Sequence, residues 1–169
     1  MSTLFKVDRS PIAGNGVFAL TTIAKGQPIT LMTGTFCTDD EIIARIKAGD
    51  EVVSDPLQIG DAEFIDLDET SRSFNHSCNP NAYLRGQNEM IALREIQPLE
   101  EITYDYSPTI NYNDAKFEEV GIEKWTCKCE CGAVNCRGII DQFKTLPEAR
   151  RDFYITHRYL QDYMLSIYQ

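Results

Sequence analysis

Positive charge is scarce in this chain of 169 residues: 16 lysines and arginines stand against 26 aspartates and glutamates, a formal charge of −10. A nucleic-acid binder needs a basic stripe to neutralise phosphates, so direct nucleic-acid binding is not expected. Long apolar runs are missing as well, and no stretch is long enough to cross a bilayer as a helix. Met1-Ser2-Thr3-Leu4-Phe5-Lys6-Val7 lacks the apolar core of a secretory signal, so an intracellular protein of the cytoplasm or nucleus is expected. Histidine is nearly absent: the chain has 2, and His76 has no neighbouring histidine with which to build a metal site. Internal repeats and low-complexity tracts are absent. Gly14-Asn15-Gly16 lacks the third glycine and following helix of a dinucleotide fingerprint.

What is present suits one compact core, since 43% of residues are hydrophobic. Negative charge is concentrated: from Asp39 to Glu69 there are eleven acidic and two basic residues. That block fits a lysine- and arginine-rich protein partner; a solvated face that keeps the chain soluble explains it equally well. Short segments between turn signals, Leu4–Val7, Gly16–Leu20, Pro28–Met32, Glu63–Asp66, Ala82–Arg85, Met90–Arg94 and Ile102–Tyr106, predict strands. Gly86-Gln87-Asn88 predicts a hairpin connection, and so many brief strands imply several small sheets rather than one wide one.

Two helices are predicted. Thr38-Asp39-Asp40-Glu41 is a capping box ahead of Ile42, Ile43 and Ile46, and Gly49 closes that helix. Thr145-Leu146-Pro147-Glu148 opens a second, running to about Ile167, with Phe153, His157, Leu160, Met164 and Ile167 on one stripe. The stripe packs on the domain or forms a homodimer seam. Between the elements, Ser107–Asp114 predicts a flexible connector.

Chemistry concentrates in three places. Asn75-His76-Ser77-Cys78-Asn79-Pro80-Asn81 is a polar turn carrying a lone thiol, three residues after Arg72. Glu101-Ile102-Thr103-Tyr104-Asp105-Tyr106 sets two phenols on one face of a strand, with the carboxylate of Asp105 on the other. Cys127, Cys129, Cys131 and Cys136 cluster later. In an intracellular chain these thiols read as metal ligands or free thiols; export would bring disulfides back as the alternative. A metal closing the long loop from Cys78 to the cluster would carry the later segment back to the Asn-His turn.

These strings together resemble the SET-domain protein lysine methyltransferases with a cysteine-rich zinc segment after the SET domain, over roughly residues 4–140. The resemblance implies a mainly β fold with a few helices: several small sheets around a pseudoknot, a zinc-binding post-SET segment and a C-terminal helix. The expected division is a SET domain at 1–114 with an acidic insert and short helix at 38–72, the zinc segment at 115–140, and the helix at 141–169. It implies S-adenosyl-L-methionine as cofactor, held by Asn15, Gly16, Arg72, Asn75, His76 and Tyr106. Tyr106 is the implied catalytic residue, and Tyr104 the one that sets methylation multiplicity, favouring monomethylation. Zinc would be held by Cys78, Cys129, Cys131 and Cys136, which keep the family spacing Cys-x-Cys-x4-Cys, leaving Cys37 and Cys127 free.

The function expected is therefore S-adenosylmethionine-dependent lysine N-methylation of a basic protein segment, a histone tail being one such substrate, docked as a strand beside the acidic insert. Two alternatives stand beside it: a catalytically inactive SET module that binds peptides or partners, and a zinc-stabilised structural domain without cofactor.

Overall fold

The computed structural model of the chain describes residues 4–49, 56–122 and 125–169. Asp50, Glu51 and Asp55 of the acidic block lie outside the described residues. Four small antiparallel sheets are formed among the described residues. The first orders β1 (Phe5–Arg9), β2 (Asn15–Ala19) and β9 (Glu101–Ile102). The second orders β3 (Pro28–Leu31), β8 (Glu89–Ala92) and β7 (Ala82–Arg85), with β7 and β8 joined across Gly86–Asn88 as the sequence predicts. The third orders β4 (Gly34–Thr38), β6 (Glu63–Leu67) and β5 (Pro56–Gln58); the fourth pairs β10 (Cys127–Lys128) with β11 (Ile139–Ile140). The mainly β architecture of small sheets is as expected.

Local chemistry explains α1 (Asp39–Ala48) completely. The Thr38 side chain accepts from Glu41 N while the Glu41 carboxylate accepts from Thr38 N. Gly49 ends the helix at φ 81°, a conformation that costs a residue with a Cβ roughly 1 kcal/mol or more. Ile42 and Ile43 are buried against Phe64, Ile110 and Phe117. Truncating either isoleucine to alanine would cost about 2–5 kcal/mol. A short helix, α2 (Glu69–Arg72), capped by Asp68, brings Arg72 to the Asn-His turn.

The sequence reading is corrected at four places. Strand character in the phenol segment stops at Ile102; beyond it Tyr104 makes single parallel bridges to His76 and Ala82. Ser107–Asp114 is not a loose connector: Ser107–Thr109 is a buried 3-10 turn, Ile110 and Tyr112 are buried, and Asn113 caps α3 (Asp114–Glu119). The capping box at Thr145 is not formed, because its hydroxyl donates back to Gln142 O within the 3-10 turn Phe143–Thr145. Finally, the C-terminal helical segment is two helices, α4 (Glu148–Thr156) and α5 (Asp162–Tyr168).

The break has a cause. Arg158 takes φ 56° and Tyr159 N bonds back to Tyr154 O, so the chain turns and drives Leu160 and Gln161 inward. The Gln161 amide then donates to Gln58 O and Gln87 O. Leu160 and Met164 are buried with Phe143, Leu146 and Tyr154 of the same chain, while His157 and Ile167 of the expected stripe are exposed. Among the described residues no helix is long and apolar enough to cross a membrane.

Candidate active site

The Asn-His turn and the phenol segment are stitched together by backbone. Tyr104 N donates to Asn75 O and Ser77 N to Tyr104 O, while Asn81 N and Ala82 N both donate to Thr103 O. Thr103–Tyr104 is thus bonded to both arms of the 75–82 turn. Asn81 completes the tie by accepting from Thr103 N at 2.8 Å. Periodicity carries no trace of such a pairing, since it depends on partners far apart in the chain.

Asn75 faces the other way. Its amide donates to Asn15 O at 2.9 Å, Ala13 O at 3.2 Å and Glu101 Oε1 at 2.8 Å, which fixes the N-terminal turn against the site. Gly16 stands behind that turn: a Cβ there would lie 2.3 Å from Glu101 Oε1, so only glycine lets the carboxylate reach Asn75. Asn15, Glu69, Arg72 and Asn75 border an open cleft of about 400 Å³. Arg72 pairs with Asp66, which also binds Arg45 at 2.8 Å.

Two further clefts meet at Tyr106. One, of about 230 Å³, is walled by Leu57, Phe74, Tyr104, Ile110, Tyr112 and Trp125. The other, of about 260 Å³, runs past Ala13, Asn75, His76 and Lys128. Tyr106 and Cys127 line both. The Tyr106 ring packs against three separate apolar clusters, and its hydroxyl donates to Phe74 O at 2.8 Å. Burial, then the nearby Cys127 thiol, raise its pKa far above the ordinary phenol range; burial does the same to Tyr104. Both are therefore neutral phenols at pH 7.

His76 is fixed from two sides. Its Nδ1 accepts from Tyr106 N at 3.1 Å, and its Nε2 lies 3.4 Å from Cys78 Sγ. Burial, against the opposing pull of Asp105, moves its pKa down to about 4, so the ring is neutral at pH 7. A backbone N–H can only donate, so the single ring proton sits on Nε2 and points at sulfur.

The thiols converge as the sequence suggested. Ligand atoms of His76, Cys78, Cys129 and Cys131 all lie within 4.8 Å of one another. Cys136 borders the same group, its Sγ 3.8 Å from Cys129 O. Three of the four expected ligands, Cys78, Cys129 and Cys131, thus fall in one group; His76 is the fourth member of that group and Cys136 stands at its edge. Four thiols, two of them buried, suit tetrahedral zinc. Burial raises the Cys78 pKa; at Cys131 burial also pushes up, but hydrogen bonds from Cys78 N, Ala133 N and the neighbouring thiols bring it down to about 7. Cys37 is remote from the cluster, beside Arg45 and Phe64 O. Metal analysis should find about one zinc per chain. Cys136→Ser should lower that content and Cys37→Ser should not; equal zinc in the two variants removes Cys136 from the set.

Asp105 was legible only as the residue pointing away from the phenols. It is buried and receives Arg137 Nη1 at 2.8 Å, Arg137 Nη2 at 2.6 Å, the Tyr154 hydroxyl at 2.9 Å and Ser107 N at 3.2 Å. One carboxylate therefore joins the phenol segment, the thiol segment and α4. Arg150 of α4 adds a bond to Cys78 O at 2.6 Å. Sequence reading also missed Trp125, Tyr112 and Gln58 as cleft residues, since none belongs to a recognisable string.

The acidic block is less of a free surface than composition suggests. Asp39 and Asp40 hold Lys116, Glu41 caps α1, Asp66 holds two arginines, and Asp68 caps α2 and accepts from Thr33.

A sequence model of the SET domain matches residues 14–107. A Schizosaccharomyces pombe protein named histone-lysine N-methyltransferase, H3 lysine-9 specific, is 32% identical over 148 residues, 74% of this chain and 30% of its own length. The Danio rerio histone-lysine N-methyltransferase SUV39H1-A is 30% identical over 164 residues, 79% of this chain and 39% of its own. The chain thus spans well under half the length of these relatives. Among solved structures, KRYPTONITE in complex with mCHH DNA, an H3 peptide and SAH superposes with a TM-score of 0.59 at 24% identity, over 83% of this chain and 30% of that one. Apo ctPRC2 in an autoinhibited state gives 0.60 at 20% identity, over 70% of this chain and 17% of that one. At these identities the two structures attest the fold.

Proposed function

Because the chain belongs to the SET-domain family, we propose that it is an S-adenosylmethionine-dependent protein lysine N-methyltransferase acting on a basic segment, of which a histone tail is the leading example. The observation that carries this reading is the meeting of two clefts at one phenol, Tyr106. A transfer between two bound molecules needs such a junction. The relatives' names and the H3 peptide in the KRYPTONITE structure support the substrate class.

In this reading Asn15, Arg72, Asn75, His76 and Tyr106 hold the cofactor, with Gly16 shaping the turn behind it. S-adenosylmethionine, when bound, supplies a methyl group on a sulfonium. The chain's residues do the rest. The apolar walls around Tyr104 and Tyr112 desolvate the lysine side chain, whose free pKa is about 10.4, and favour its neutral, nucleophilic form. The Tyr106 hydroxyl and Phe74 O fix the line of approach, and no protein base is used. Cys78, Cys129, Cys131 and Cys136 hold zinc, which cross-links the 115–140 segment to the turn. Residues 1–114 carry the catalytic unit and 141–169 brace it. The substrate lies beside β5, whose Leu57 and Gln58 line the narrower cleft. A histone substrate places the activity in the nucleus. Burial of Leu160 and Met164 in the chain's own core supports a monomer.

Calorimetry with S-adenosylmethionine, then incubation with labelled cofactor and basic protein mixtures, tests this. Binding followed by labelled lysine is expected; binding without transfer would leave an inactive peptide-binding module, and no binding would defeat both. The multiplicity assignment has its own test. Tyr104→Phe should shift product from mainly monomethyl-lysine toward di- and trimethyl-lysine by mass spectrometry, because the lost hydroxyl leaves space at the nitrogen. An unchanged product ratio would take that role from Tyr104.

A further inference from the structure

One wall of the smaller of the two clefts at Tyr106 is also bonded from the C-terminal segment, outside residues 1–114. Thr109, Ile110 and Tyr112 line that cleft, and Ile110 and Tyr112 belong to no strand or helix. A segment of this kind has no ladder to satisfy its carbonyls, so whatever satisfies them sets its position. Here the C-terminal residues do so. The Tyr163 hydroxyl donates to Thr109 O at 2.8 Å, Phe143 N donates to Ile110 O at 3.1 Å, and the Tyr168 hydroxyl donates to Asn111 Oδ1 at 2.7 Å. A neighbouring lining residue is tied to the same element. Gln58 lines the cleft, accepts from Asn111 N at 2.8 Å through its side chain, and accepts from the buried Gln161 amide at 3.1 Å through its carbonyl. α5 and the residue that precedes it therefore bond both Gln58 and the 109–111 segment, whose Ile110 packs on Phe64 and α1 from the other side.

We propose that α5 sets the width of the lysine cleft, with Tyr163 and Tyr168 as positioning residues that fix how many methyl groups the substrate nitrogen can accept. Neither hydroxyl touches the reacting atoms; each acts through the 109–111 backbone or side chain it holds. Loss of both leaves Thr109 O and Asn111 Oδ1 without their donors, and the wall relaxes outward. The role rests on the methyltransfer reading above.

The test is the double variant Tyr163→Phe, Tyr168→Phe in the full chain, which keeps both rings and their packing. Against wild type it is assayed for kcat and KM on a basic peptide, product multiplicity by mass spectrometry, cofactor affinity by calorimetry, and unfolding midpoint. The expected result is a kcat about 10-fold lower and a larger share of di- and trimethyl-lysine, with cofactor Kd within about twofold. Arg151→Ala, which removes one exposed bond to Lys144 O, should leave kcat and product ratio at wild-type values. An active wild type whose double variant keeps its turnover and product ratio overturns this role alone. So does a loss of rate that disappears on cooling with the ratio unchanged, since that is lowered stability. A wild type that binds cofactor and transfers nothing overturns the functional reading and this role with it.

Discussion

Tyr106→Phe should lower methyl transfer by about 100-fold or more while leaving cofactor affinity within about twofold. The asymmetry follows from what the hydroxyl does. Its ring is held by Tyr104 at 4.7 Å and His76 at 5.3 Å between centroids, and by packing on three clusters, none of which the substitution disturbs. Its backbone N–H, which holds His76 in place, is also retained. What disappears is a single donor aimed at Phe74 O from the junction of the two clefts. Leaving that carbonyl unpaired costs about 1–3 kcal/mol of stability at most, which a folded domain tolerates. The effect on rate is larger because the group sits where the reacting atoms must align, and small displacements there are costly. Since burial keeps the phenol protonated, the loss should show no pH dependence from Tyr106 itself between pH 6 and 9. Single-turnover measurement with labelled cofactor decides the matter: an unimpaired rate would show that the phenol is a packing residue.

How much of this was legible in the sequence depends on how local the cause is. The capping box at Thr38, the left-handed Gly49 and the Gly86 hairpin are decided within a few residues, and all three are found as read. The Asn75–Asn81 string and the cysteine spacing named their own meeting because their residue types are unusual together. Tyr104 and Tyr106 do share a cleft while Asp105 points away, although the strand that suggested it ends at Ile102. Tertiary partners were not legible. β4 is an edge strand with exposed Phe36, so its pattern lacks a buried face to read. α4 and α5 read as one helix because the turn at Arg158 is secured by Gln161 bonding Gln58 and Gln87, far away in sequence. Net charge also gave no sign that Asp39, Asp40, Glu41, Asp66 and Asp68 are committed to caps and ion pairs.

Asp105→Ala should be the most damaging single change to the fold outside the apolar core, at about 3–5 kcal/mol. Asp105 is 4% exposed, and its removal leaves the Arg137 guanidinium, among the described residues, with its bond to Ser107 Oγ at 3.1 Å. The Tyr154 hydroxyl loses its acceptor too; burial, then the carboxylate itself, keep that phenol protonated and donating. Three segments share this one group, so its loss should loosen them together. Hydrogen exchange should quicken in 136–138 and in α4 while α1 and the β4–β6 pair stay protected, because they touch none of its partners. Zinc retention should fall as the segment bearing Cys136 comes free. Urea unfolding supplies the size of the effect, and a second variant separates cause from context. Where Arg137 is already Met, the further change Asp105→Leu should restore most of the lost stability, since an apolar pair leaves no charge buried alone. A loss below about 1 kcal/mol for Asp105→Ala would mean that water or another group reaches Arg137 as readily as the carboxylate does, and the three segments would then be held together by packing.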